Sequence, residues 1–69
     1  MGDLKRADRV LVLQKEVWII EYKNAPRADD TYIKQVHSYM DAARQVYHNK
    51  KVRAFLLYFN PLRKEEVDG

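Results

Sequence analysis

The sequence predicts a small α/β domain: a three-stranded mixed sheet carrying one helix, in the order strand, strand, helix, strand. Three observations carry that reading. Two apolar, branched runs, Arg9–Leu13 and Val17–Lys23, are separated only by the polar Gln14-Lys15-Glu16. From Tyr32 onward the apolar spacing changes to every third or fourth residue. A last, nearly continuous apolar run then covers Val52–Phe59.

Arg9-Val10-Leu11-Val12-Leu13 is rich in residues that favour extended backbone, and Val17-Trp18-Ile19-Ile20-Glu21-Tyr22-Lys23 is the strongest strand signal. With so short a break between them, the two form an antiparallel hairpin. The break lacks Gly and Asn, so it leaves the turn type open. Asn24–Asp30 is a connection, and Pro26 keeps it out of a central strand. Asp29, Asp30 and Thr31 are candidate N-caps, placing negative charge at a helix start.

Tyr32, Val36, Tyr39, Met40, Ala43, Val46 and Tyr47 line one face of a helix of about four turns. His48-Asn49-Lys50 ends it, with Asn49 a candidate left-handed cap. Val52–Phe59 suits a strand covered on both faces, and Asn60-Pro61 stops it. The domain spans residues 1–61. Leu62–Gly69 is a charged tail expected to fray. The helix has the length for a right-handed crossover between parallel strands.

At 69 residues the chain has room for one core, and a domain of this size buries only about 60% of its unfolded surface. With 46% hydrophobic and 33% charged residues it is globular rather than disordered. Its lack of cysteine excludes disulfides and thiolate metal sites. The net charge of +3 permits a nucleic-acid partner without requiring one. No apolar run has membrane-spanning length, and the N-terminus has no apolar signal core. The expectation is a soluble, cytoplasmic protein. No glycine-rich phosphate loop occurs.

One helix covers one sheet face. The sequence therefore predicts that the other face is left uncovered by this chain, although a sheet rich in Trp18, Ile20, Phe55 and Leu57 should not show both faces to water. Trp18 and the five tyrosines are candidates for stacking on bases, but Trp18, in a central strand, is expected in the core. His37 falls off the apolar stripe and reads as a solvated helix side chain, with a DNA contact as the alternative.

Glu21 and Lys23 are two apart in a strand, so both leave the same face. A hairpin closing at 14–16 brings Asp8 roughly across from Glu21–Lys23. Two carboxylates and a lysine then meet at one end of the sheet. Adjacent carboxylates repel unless something neutralises them. A hard divalent cation does so through oxygen ligands. A neighbouring lysine can orient water and stabilise negative charge developing on a phosphodiester. The competing reading is a surface ion pair on an edge strand.

Arg6-Ala7-Asp8-Arg9-Val10 followed by Val17–Lys23 resembles the PD-(D/E)XK nuclease pattern. Gln35-Val36-His37-Ser38-Tyr39 is similar to the Gln-x-x-x-Tyr motif of its RecB-like branch, found at the C-termini of UvrD-type helicases and in recombination exonucleases. The resemblance covers about residues 5–59 and implies a truncated restriction-endonuclease-like core. It implies a Mg²⁺- or Mn²⁺-dependent DNA nuclease, exonuclease ahead of endonuclease, within a helicase–nuclease or repair protein. By resemblance Asp8, Glu21 and the Tyr22 carbonyl are metal ligands, Lys23 is the catalytic lysine, and Gln35 and Tyr39 lie on the helix face turned to the site.

Lys5, Arg6, Arg9 and Lys34 are candidate DNA contacts, with Lys50, Lys51 and Arg53 a second basic cluster. The chain departs from the family in that only seven residues precede Asp8, too few for the helix that usually comes first. It therefore reads as an excised piece, a degenerate relative or a chain completed by dimerisation. Parent helicase domains or a homodimer partner would then cover the open face. The alternative function is a non-catalytic nucleic-acid-binding or assembly module on the same fold.

Overall fold

The computed structural model describes residues 4–24, 30–59 and 61–68. A 3-10 turn at Leu4–Arg6 leads into β1 (Arg9–Val12) and β2 (Glu16–Lys23). Helix α1 (Asp30–Val46) and strands β3 (Lys51–Tyr58) and β4 (Arg63–Val67) complete the chain. The sheet order is β1-β2-β3-β4. β1 pairs with β2 antiparallel, β2 with β3 parallel across α1, and β3 with β4 antiparallel. Pro26 and the candidate cap Asp29 lie outside the described residues, as does Asn60.

The mixed sheet and single helix agree with the sequence reading, but there are four strands rather than three. The charged tail read as fraying carries β4 over Arg63–Val67. Glu and Lys are weak strand formers, so local preference argued against it. Tertiary contacts override that preference. Val67 pairs with Ala54 and is 6% exposed, while the Arg53 guanidinium donates to both Glu66 carboxylate oxygens at 2.8 and 2.9 Å. An edge strand needs few apolar residues, and its charges discourage pairing with another chain.

The β1–β2 turn closes through the Leu13 amide donating to Glu16 O at 2.8 Å. It has no Gly or Asn, and support comes from the α1–β3 connection instead. Lys50 Nζ donates to the carbonyls of Leu13 and Gln14, at 2.5 and 3.1 Å, and the Lys51 amide donates to Lys15 O at 3.0 Å. The second basic cluster of the sequence thus begins with a lysine that braces a turn.

Alternation along the strands sorts the sheet into two faces. Val17, Ile19, Val52, Ala54, Leu56 and Val67 face α1 and pack with Val36, Tyr39, Met40 and Ala43 in one core. Burying each large aliphatic side chain there contributes roughly 1.5–3 kcal/mol. The opposite face holds Leu11, Trp18, Ile20, Tyr22, Phe55 and Leu57 by register. Here the expectation for Trp18 is corrected: it is half-buried on the open face, where its ring lies 5.2 Å from Phe55 and its Nε1 donates to Glu16 Oε1 at 2.6 Å. Phe55 is 3% exposed, roofed by Trp18, Arg53 and Lys64. Tyr22 remains 40% exposed, so the face is covered only in part.

His37 is also corrected. It is half-buried rather than solvated, and its Nε2 lies 2.6 Å from the Asp68 carbonyl. A carbonyl only accepts, so that nitrogen donates. The contact was invisible to sequence reading because β4 brings Asp68 to the helix.

Candidate functional site

The Arg9–Ile20 pair is the last of the β1–β2 register. Continuing it one step sets Asp8 opposite Glu21, within the Glu21–Lys23 span that the sequence indicates. The two residues are joined reciprocally. The Asp8 amide donates to Glu21 Oε2 at 2.7 Å, and the Tyr22 amide donates to Asp8 Oδ2 at 2.9 Å. Each carboxylate thus engages one oxygen with a backbone amide. The N–H and C=O of a strand residue leave on the same side, so the Tyr22 carbonyl also lies on the Asp8 side of β2.

The two carboxylates differ in environment. Asp8 is exposed, whereas Glu21 is 3% exposed and is the single charged residue among the buried ones described. Burial pushes the Glu21 carboxyl above its ordinary range. The Asp8 amide pulls it down; the Asp8 carboxylate raises it further, and the charge of Lys23 lowers it.

Lys23 shares the helix-side face with Glu21, at the register position beside Tyr58. Its ammonium sits 4.0 Å from the centre of the Tyr32 ring, in the first turn of α1. That cation–π contact holds the lysine on the helix side of the sheet. Sequence reading placed Asp8, Glu21 and Lys23 together and missed Tyr32, which reads there as one more member of the apolar stripe.

Gln35 and Tyr39 are one helical turn apart but differ in surroundings. Tyr39 is 3% exposed in the core, and Gln35 is exposed. Lys5 and Arg6 lie in the 3-10 turn preceding Asp8, exposed, and Lys34 is exposed on α1. Arg9 pairs with Ile20, so alternation sends it to the open face, opposite the carboxylates. A shallow recess of about 390 Å³ lined by Lys5, Asp8, Arg9 and Tyr47, among others, opens beside Asp8. A larger cleft of about 650 Å³ between α1 and the β3–β4 pair includes neither carboxylate. The chemistry, not the volume, marks the site.

The available donors are all oxygens, which suits a hard cation such as Mg²⁺ or Mn²⁺. A buried carboxylate held against a second one is also a place where a cation relieves repulsion. Among the described residues no group of three or more His, Asp or Glu side chains is arranged to hold an ion. Any ion there would rest on Asp8, Glu21 and backbone oxygen. Among the described residues no helix is long and apolar enough to cross a membrane. No protein family, curated protein or solved structure matches this chain.

Proposed function

We propose that this chain is a metal-dependent nuclease core acting on DNA phosphodiesters, as its resemblance to the RecB-like PD-(D/E)XK nucleases implies. The observation that carries the reading is the reciprocal Asp8–Glu21 contact at the end of β2, with Lys23 on the same face as Glu21. Asp8, Glu21 and the Tyr22 carbonyl would hold Mg²⁺ or Mn²⁺. Bound there, the ion would offset the negative charge that builds on the phosphate. Glu21, desolvated and raised in pKa, has the electrostatic reason to accept a cation. Lys23 orients the attacking water and stabilises the anionic phosphorane-like charge. Water gives up a proton as its oxygen bonds to phosphorus, one P–O ester bond breaks, and the departing oxygen takes up a proton. The exposed Lys5, Arg6 and Lys34 supply phosphate contacts that are independent of sequence.

A second reading, a non-catalytic nucleic-acid-binding or assembly module, draws on the same contact. Both carboxylates already accept a backbone amide, which gives them a structural role in fastening the chain before β1 to β2. In either case helicase domains of a parent protein or a second copy are the candidate neighbours.

Titration with Mg²⁺ and Mn²⁺ separates the two. Under the nuclease reading, backbone amide NMR shifts are confined to Asp8 and Glu21–Lys23, vanish in Glu21→Ala, and accompany cleavage of labelled DNA. Absence of shifts at millimolar metal sinks the nuclease reading and leaves the module.

A further inference from the structure

The sheet face turned away from α1 has a composition unlike a core half and unlike an ordinary surface. Along β2 it presents Trp18, Ile20 and Tyr22. Next to Tyr22 stands Phe59, ring centres 6.0 Å apart and tilted 30°. Tyr22 is 40% and Phe59 48% exposed, so a pair of aromatic rings lies open to solvent. Trp18 and Tyr22 are four residues apart on one strand, about 13 Å at ~3.3 Å per residue. The exposed Tyr22–Phe59 pair therefore stands at one end of a strip floored by Ile20 and Leu57, and half-buried Trp18, with the Arg53 guanidinium 5.5 Å from its ring centre, at the other.

The charges on this face are interleaved with the rings. Register puts Arg9, Lys51, Arg53 and Lys64 there, against Glu16 and Glu66. Arg53 is committed to its fork on Glu66 and lies 3.6 Å from Glu16. Lys64 Nζ sits 5.1 Å from the Phe55 ring centre. Among the described residues neither Lys64 nor Arg9 enters an ion pair. A patch with accessible rings, an apolar floor and an excess of cations complements a ligand with flat apolar faces and regular negative charge. Unpaired bases joined by phosphodiesters have both features, and base–aromatic stacking tolerates any sequence. A duplex hides its base faces in its own stack, so it offers these rings nothing. A second copy of this chain would bring the same excess of cations against itself.

We propose that the open face of the sheet is a stacking surface for a single-stranded polynucleotide, with Tyr22, Phe59 and Trp18 as platforms and Lys64 and Arg9 as phosphate contacts. This surface is separate from the Asp8 and Glu21 carboxylates, which lie on or beside the helix face. It does not depend on their binding metal.

Trp18 is the sole tryptophan and belongs to the surface, so its fluorescence reports occupancy directly. The test titrates unlabelled fifteen-nucleotide oligo-dT and oligo-U into the full chain, at low salt with EDTA present. Saturable quenching of Trp18 is expected, and the tighter of the two oligonucleotides identifies DNA or RNA as the source. Phe59→Leu and Tyr22→Leu keep apolar bulk while removing a π face, and each weakens binding about tenfold. Lys64→Gln lowers the slope of log K against log salt by about 0.7. Gln45→Ala, exposed on α1, leaves binding unchanged. Circular dichroism confirms that each variant folds, and Lys64→Gln, on an exposed edge position, keeps the test alive should a ring variant unfold.

Absence of quenching by either oligonucleotide overturns the proposal, as does binding indifferent to Phe59→Leu and Lys64→Gln. Sedimentation showing a dimer that Phe59→Leu dissociates and oligonucleotide does not would give the face to a second copy instead. EDTA keeps this outcome separate from the metal site: stacking can fail while the metal titration succeeds, and the reverse.

Discussion

Glu21→Gln isolates the cost of burying a charge beside another carboxylate. Glutamine keeps the shape, and its Oε can still accept the Asp8 amide that now bonds Glu21 at 2.7 Å. Its NH₂ can donate toward the Asp8 carboxylate, replacing repulsion with a hydrogen bond. Against this stands the loss of charge assistance in the amide bond, a difference of about 1 kcal/mol between charged and neutral partners. Desolvating an ion costs several kcal/mol even after relaxation, but the Asp8 amide and the Lys23 charge return part of it, so the balance favours Gln by about 1 kcal/mol at pH 7.

The sign of the pH dependence follows from the raised pKa of Glu21. The folded state holds the proton more tightly than the unfolded chain does. Its contribution is therefore complete below the ordinary glutamate pKa and is lost as pH rises through the raised value. Urea unfolding followed by Trp18 fluorescence between pH 4 and 8 measures it, at a slope on the order of 1 kcal/mol per molar urea. The wild type loses stability across that rise; Glu21→Gln does not, and its midpoint at pH 7 lies higher by about 1 M. Identical pH slopes in the two proteins, or a Gln variant less stable at pH 7, would mean that burying the Glu21 charge costs nothing. Saturating Mg²⁺ at ten times its dissociation constant should stabilise the wild type by about 1.4 kcal/mol and the variant by much less.

Other outcomes follow from the packing and the charges. Val67→Ala removes two methyl groups from the β4 anchor and should cost about 1.5 kcal/mol, with faster amide exchange along the β3 edge. Ile19→Ala, at 0% exposure, should cost roughly 2–5 kcal/mol, while Val12→Ala, 49% exposed, stays within about 0.5 kcal/mol; thermal melts compare them. Lys50→Met loses the two turn carbonyls and should cost about 1 kcal/mol, read as a lower urea midpoint. Arg53→Met tests the ladder to Glu66 and Glu16. The hydrogen bond from Arg53 holds Glu66 below its usual range, while the Trp18 indole and then Arg53 do so for Glu16. Their contribution is present above the ordinary glutamate pKa and lost as pH falls through the lowered values, so the variant should show a shallower acid limb in the same urea series.

Local pattern along the chain was enough to locate most of the elements. Apolar alternation and the change to helical spacing are properties of consecutive residues, and they located β1, β2, α1 and β3 within a residue or two of their ends. Period-two geometry also sufficed to put Glu21 and Lys23 on one face, and a short hairpin put Asp8 roughly across from Glu21–Lys23, while the fold singled out Glu21 as its partner. What the tertiary structure alone decided is what arises between distant segments. β4 exists because Ala54 and Arg53 offer partners to Val67 and Glu66, a gain that outweighs the poor strand preference of its charged residues. Trp18 lies on the open face rather than in the core, although its sequence position beside Val17 and Ile19 made burial the natural expectation. Lys50 as a turn brace, Tyr32 under the Lys23 ammonium and the Tyr22–Phe59 pair are likewise contacts across the fold. No pattern of neighbours along the chain encodes them, since their energy appears only when the strands have been brought side by side.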